Sequence, residues 1–235
     1  LAGFTYVPHG DFHAVKDAID GETGAIMIEP IQGEGGVRMP HPGFLQELRG
    51  FCDMHGLMLI FDEVQTGCGR TGEWFAYQHF GVEPDIMTLA KAVSGSLPGA
   101  VMLAKNEIAS ALRPGMHAAT YGGNPVSAAA GIAAIEMVEK EGLLDNARRI
   151  GTFFQEELGK LHDELEIIQD VRGVGVMIGV ELSVEGAPVV EACMKRGLLI
   201  NCTHGNVLRL LPAMNLSLEQ AREGIDIIAD VLRNL

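Results

Sequence analysis

Lys91 closes the run Asp85-Ile-Met-Thr-Leu-Ala-Lys91, directly ahead of the small-residue stretch Ser94-Gly-Ser-Leu-Pro-Gly99. A primary amine at a strand end, with room beside it for a flat ring, is what an aldehyde cofactor requires. Upstream, the apolar run Leu57-Met-Leu-Ile-Phe61 ends in Asp62-Glu63-Val64. An amine able to form a Schiff base and a carboxylate able to keep a pyridinium nitrogen protonated together point to pyridoxal 5'-phosphate. A further apolar run, Gly24-Ala-Ile-Met-Ile, ends in Glu29 and opens into a glycine-rich loop. In open α/β sheets ligands bind beyond the carboxyl ends of the strands, where Glu29, Asp62 and Lys91 are expected to stand. Any one of them reads equally well as a cap, an ion-pair partner or a solvated group. Three in consecutive strands of one sheet are harder to dismiss.

The chemistry assigns each a task. Lys91 is expected to hold the cofactor and then serve as general base, its pKa lowered by a cationic, partly desolvated site. Asp62 keeps the ring nitrogen protonated. Val64, two residues on along an extended segment, faces the same side and packs against the ring, or else belongs to the core. Gln65 reaches the ring's phenolic oxygen, or is solvated. The segment Thr120-Tyr-Gly-Gly-Asn-Pro125 leads into a helix; a hydroxyl and flexible amides there suit a phosphate, and equally make a turn and N-cap ahead of the proline. Glu63 caps or bridges near Arg70. His9 and His13 sit four apart but lack a third ligand, so no metal site is read.

The elements that must position these groups follow from periodicity. Residues 11–20 form a short helix capped by Asp11. A helix from Pro42 carries Phe44, Leu45, Leu48, Phe51 and Cys52 on one face. Strands are expected at 24–29, 57–61, 85–89 and 100–104, and near-continuous apolar strands alternating with helices predict a mostly parallel sheet covered on both faces. Helices at 125–141 and 143–162 follow. Then Arg172-Gly-Val-Gly-Val-Met-Ile-Gly-Val-Glu-Leu182 reads as one glycine-spaced strand. A helix at 187–196, strands at 197–202 and 207–211, and a helix at 217–234 opened by a Ser217…Gln220 capping box complete the chain. The reading is α/β: residues 1–140 as part of a large domain and 141–235 as a smaller α+β domain.

The 235 residues are 47% apolar and 20% charged with 30 glycines, a composition for a well-packed globular protein with many tight turns. A net charge of −14 argues against nucleic acid or an anionic membrane as partner. No apolar run is long enough to span a bilayer. Cys52, Cys68, Cys193 and Cys202 are scattered without a Cys-x-x-Cys pair, which disfavours a disulfide framework or zinc site and points to a reducing, cytoplasmic compartment.

Four motifs in order, Glu29-Pro-Ile-Gln-Gly-Glu-Gly-Gly36, Phe61-Asp-Glu-Val-Gln-Thr-Gly-Cys-Gly-Arg-Thr-Gly72, Thr88-Leu-Ala-Lys-Ala92 and Thr120–Pro125, resemble the class III, or ω-amino acid, aminotransferases of fold type I. The resemblance implies that Lys91 is the Schiff-base lysine, Asp62 the ring-nitrogen partner and Gln65 the neighbour of the ring hydroxyl. It implies that Thr120 reaches the phosphate of a neighbouring subunit's cofactor, hence a homodimer. Arg209, on its own a surface arginine, matches the residue that grips the α-carboxylate of glutamate or 2-oxoglutarate. Glu34 matches a glutamate that pairs with that arginine when an ω-amino substrate is present. Asn201-Cys-Thr203 with Gly205–Pro212 points to members that move the ω-amino group of N-acetylornithine to 2-oxoglutarate, in arginine biosynthesis. Ornithine, 4-aminobutyrate or another ω-amine remain as alternative donors. Ser94 and Ser96 stand where the family often has glycine, without removing a functional group. The family's phosphate-binding turn and ring-stacking aromatic, which precede these motifs, have no match. The chain therefore reads as a C-terminal part, with an apolar face expected where further strands pair, and an inert fragment stands as the competing reading.

Overall fold

The computed structural model describes residues 2–235. They form two compact units. One contains the residues through Pro30, Pro40–Gln65 and Ala76–Ile132; the other contains Ile31–Met39, Thr66–Phe75 and Ala133–Leu235.

In the first unit α1 (Phe12–Ala18) starts at Asp11, whose carboxylate accepts from the Ala14 amide at 2.9 Å. It is followed by β1 (Ala25–Ile28), α2 (Phe44–His55), β2 (Met58–Asp62), α3 (Tyr77–Phe80), β3 (Ile86–Leu89), β4 (Val101–Ala104) and α4 (Asn106–Ala109). Helix α5 (Pro125–Lys140) starts in this unit and ends in the other. The strands lie in chain order, with β1, β2 and β3 parallel and β4 antiparallel to β3. The reversal has a simple cause. A parallel return needs a crossover of a dozen or more residues, whereas the link from β3 to β4 holds only a 3-10 turn, Lys91–Ser94.

Leu59 and Phe61 of β2 are buried beside Phe44, Leu45, Leu48 and Cys52 of α2. On β2 these alternate with exposed Met58 and half-buried Ile60 and Asp62. The sheet is thus covered by helix on one face, where the apolar runs predict cover on both. Asp62 points to the more open side, as the strand's two-residue period requires. Val101, Met102 and Leu103 of β4 and Val126 and Ile132 of α5 are also exposed.

The second unit has α6 (Leu143–Glu164), β5 (Ile168–Val174), β6 (Met177–Leu182), α7 (Ala187–Lys195), β7 (Asn201–Thr203), β8 (Val207–Leu210) and α8 (Leu218–Arg233). Its sheet is antiparallel throughout, in the order β5-β6-β8-β7. Ile150, Phe154, Leu158 and Leu161 form one stripe of α6 and meet Ile225, Ile228 and Leu232 of α8 in a core with Ile178, Val180, Leu182 and Leu208. The capping box at Ser217 and Gln220 is formed on both sides. The segment expected as one strand over 172–182 is instead the end of a tight hairpin reversing at Gly175-Val176. Gly173 and Gly175 hold positive φ (136° and 56°), which glycine adopts at little cost and which breaks the extended run.

Candidate active site

Asp62 and Lys91 stand at the carboxyl ends of neighbouring parallel strands. Asp62 ends β2 opposite Thr88 of β3, and Lys91 follows β3 by two residues. The Asp62 carboxylate is half-buried, and its Oδ1 accepts from the Val64 amide at 2.9 Å and the Thr88 hydroxyl at 3.3 Å. Its Oδ2 accepts no hydrogen bond among the described residues, so one oxygen is fixed and the other is available to a donor. Lys91 is exposed, in contrast to the partly desolvated setting expected, and its ammonium makes no hydrogen bond or ion pair among the described residues. Its φ of 50° places it in the left-handed region, which a non-glycine residue occupies at a cost of about 1 kcal/mol or more.

Val64 does not continue an extended segment. Its amide folds back onto Asp62, so Val64 and the half-buried Gln65 lie in the turn that leaves β2. Thr120 is exposed in the turn before α5, where Asn124 is the capping residue: its Oδ1 accepts from the amides of Val126 at 2.9 Å and Ser127 at 3.2 Å. Glu63 caps rather than bridges. Its carboxylate, 1% exposed, accepts from the amides of Ala76 at 2.8 Å and Tyr77 at 2.9 Å at the start of α3. Arg70 donates instead to the carbonyls of Val176 and Pro212. Glu29 follows β1, and its carbonyl receives His9 Nε2 at 3.4 Å. His13 pairs with Asp17 at 3.0 Å. Burial pushes the Cys52 thiol up to about 11, which keeps it protonated and unreactive.

The second unit joins the two remaining predicted residues directly. Arg209 lies on β8, whose residues are all buried, and its Nη1 donates to Glu34 Oε1 at 2.7 Å. The Asn201 amide, turned so that its oxygen faces the guanidinium, accepts from Arg209 Nη2 at 2.9 Å. Glu34 occupies a tight loop between Gln32 and Arg38, which pair as an antiparallel bridge. Its side chain is 70% exposed while that of Arg209 is 9% exposed. A buried cation therefore faces a largely solvated anion.

A family model described as aminotransferase class-III matches residues 6–232. The chain belongs to the class-III aminotransferases. It is 45% identical over 233 residues to the acetylornithine aminotransferase of Methanothermobacter thermautotrophicus, covering 99% of this chain and 60% of that one. The crystal structure of acetylornithine aminotransferase from Elizabethkingia anophelis matches with a TM-score of 0.92 and 36% identity over 99% of this chain and 60% of that one. An ornithine aminotransferase from Toxoplasma gondii, described with partial occupancy of PLP at its active site, matches with a TM-score of 0.94 and 33% identity over 100% and 56%. This class-III chain thus spans about 60% of the length of the curated relatives it matches.

Sequence reasoning missed one residue of this aminotransferase chain, Arg172. Its Nε donates to the carbonyls of Gly36 and Val37, both at 3.1 Å, and its Nη2 to Gly36 O at 2.8 Å. Its Nη1 meets Asp170 at 2.7 Å and Glu181 at 2.6 Å. Burial pulls the guanidinium pKa down, but those two carboxylates outweigh it and leave it raised. The available signal was an arginine directly ahead of the apolar, glycine-rich run Gly173–Val180: a charge beside such a run needs several partners.

Proposed function

We propose that this chain is the lysine-bearing part of a pyridoxal-phosphate aminotransferase that moves the ω-amino group of N-acetylornithine to 2-oxoglutarate, in arginine biosynthesis. The observation that carries this reading is the Glu34–Arg209 pair. The transfer alternates between a donor whose reacting ω-carbon carries no carboxylate and an acceptor whose reacting carbon carries the α-carboxylate. A guanidinium that keeps its place while its counter-ion comes and goes serves both.

When bound, the cofactor supplies an electron-accepting ring conjugated to the reacting carbon. The donor set fits it: Asp62 keeps Oδ2 for a ring N–H while Val64 N and Thr88 Oγ1 fix Oδ1, and Lys91 Nζ is available as the amine. Lys91 then moves the proton to and from the substrate carbon. Val64 and Gln65 lie in the turn immediately after Asp62, at the ring's edge on this reading, and Thr120 meets the phosphate held by a second subunit of a cytoplasmic homodimer. Residues 1–140 then form part of the cofactor-binding large domain and 141–235 the small domain.

The test combines two measurements on the full-length protein. Intact mass after incubation with pyridoxal phosphate and borohydride reduction should show one adduct, absent from Lys91→Ala. Turnover with N-acetylornithine should exceed that with ornithine or 4-aminobutyrate. An adduct that survives Lys91→Ala defeats the assignment of the lysine; preference for ornithine or 4-aminobutyrate defeats the choice of donor.

A further inference from the structure

The loop that carries Glu34 is built against three residues in a row. Arg172 of β5 pairs with Gly179 of β6, and Gly179 pairs with Arg209 of β8. Directly opposed residues of antiparallel strands share a face, so two arginines flank a bare glycine. Arg209 holds the loop's carboxylate, through Glu34 Oε1 at 2.7 Å. Arg172 holds the loop's backbone, through the carbonyls of Gly36 and Val37. Thr203 adds a third point by donating from Oγ1 to the Glu34 carbonyl.

Gly179 lets the loop lie down between the two arginines. A Cβ there would stand 3.0 Å from Val37 Cβ, 3.3 Å from Val207 Cγ1 and 3.4 Å from Gly36 O. Val37 is fully buried with φ of 49°, so it cannot yield without moving the loop. Asp170 and Glu181 in turn orient Arg172. The loop is therefore held at the carbonyls of residues 34, 36 and 37, and the exposed part is the Glu34 side chain.

We propose that Arg172, seated beside Gly179, is a positioning residue that sets the reach of Glu34 to Arg209 and thereby the discrimination between donors that react at an ω-amine and substrates that carry a carboxylate on the reacting carbon. This rests on the gating role assigned to Glu34 and Arg209. Arg172 touches no substrate; it acts through the loop. Loosening the loop weakens Glu34 as counter-ion, which hinders the ω-amine half-reaction and leaves Arg209 more open to a dicarboxylate.

The experiment uses the full-length holoenzyme with Arg172→Met, Arg172→Lys, Gly179→Ala and Glu34→Gln, and Arg172→Met combined with Glu34→Gln. Each half-reaction is followed separately, and glutarate binding is measured by calorimetry as a probe of Arg209. Arg172→Met should lower kcat/KM for the ω-amine by about threefold to fivefold, with 2-oxoglutarate unchanged within about 1.5-fold and glutarate bound more tightly. Gly179→Ala should act in the same direction, and supplies the test if Arg172→Met does not fold. Arg172→Lys should recover part of the loss. In the Glu34→Gln background Arg172→Met should change the ratio no further. Equal losses in both half-reactions, or a shift that persists without the Glu34 carboxylate, would overturn the inference while leaving the gate intact. A silent Glu34→Gln would overturn the gate itself, and this inference with it.

Discussion

Arg209→Lys separates charge from geometry at the centre of the second unit. Arg209 presents Nη1 to Glu34 and Nη2 to the Asn201 amide oxygen. Because the Glu34 side chain is 70% exposed, its side of the pair is well solvated, and the pair contributes about 1 kcal/mol or less. A substrate α-carboxylate meeting two N–H groups in parallel gains two charge-assisted bonds, about 1.5–3 kcal/mol each. On the proposed function the carboxylate wins that competition by about 2 kcal/mol or more, and Glu34 returns when the reacting carbon is the donor's ω-carbon, which bears no carboxylate. Lysine keeps the charge but offers one ammonium in place of a fork. One bond is lost, about 2 kcal/mol, or roughly thirtyfold in kcat/KM for 2-oxoglutarate. The ω-amine half-reaction needs only that Glu34 meet a cation, and should fall by about threefold or less. Single-turnover stopped-flow absorbance resolves the two half-reactions. Equal losses in both, or an unchanged rate with 2-oxoglutarate, would refute the reasoning.

Three predictions concern stability, each read from urea unfolding. Glu63→Gln leaves an amide whose oxygen serves only one of the two α3 amides now bound by the carboxylate, at a cost of about 2 kcal/mol; an unchanged midpoint would count against the cap. Gly151→Ala should cost about 1–3 kcal/mol, because its Cβ would run into the Gly175 carbonyl at the β5–β6 turn; full stability there would mean that the hairpin can retreat. Asp85 is pushed up by burial, but the Leu59 amide, Lys105 and Arg49 outweigh this and hold its carboxyl below the usual range. A lowered folded-state pKa contributes stability above about pH 4 that is lost as pH falls further. Asp85→Asn should therefore narrow the gap between midpoints at pH 7 and pH 3, and an unaltered gap would show that other carboxylates govern the acid limb.

Local pattern carried most of the fold. The alternation of apolar strands with amphipathic helices is enough to place β1 to β3, α2, α6 and α8, because each buries one regular stripe. The failures come where long-range geometry overrides local pattern. Glycine spacing from Arg172 to Leu182 is compatible with a strand and with a turn, and only the partner strand β8 makes it the end of a hairpin. Val64 follows a strand and reads as its continuation, yet the Asp62 side chain captures its amide and starts a turn. At the candidate site, residue type singled out Lys91 and Asp62, since few side chains can supply an amine or a half-buried carboxylate at a strand end. Arg209 was invisible without the family resemblance. Its ion-pair partner, Glu34, lies far away in the chain. Arg172 escaped notice altogether, because its acceptors are main-chain carbonyls, which leave no trace in side-chain identity.

Glu63 joins the start and finish of the excursion from β2 to α3, spanning 13 positions with two hydrogen bonds. Closing a flexible loop of that size costs about 2 kcal/mol or more in chain entropy, which one buried carboxylate holding two amides offsets. The residues between, Thr66–Phe75, pack with the other unit, yet the chain leaves and re-enters the first unit through one clasp. In the language of hydrogen exchange, Ala76 and Tyr77 are sentinels. Their amides should exchange only when the clasp opens, and so report the opening of β2 and α3 as one cooperative segment, however freely the intervening residues breathe.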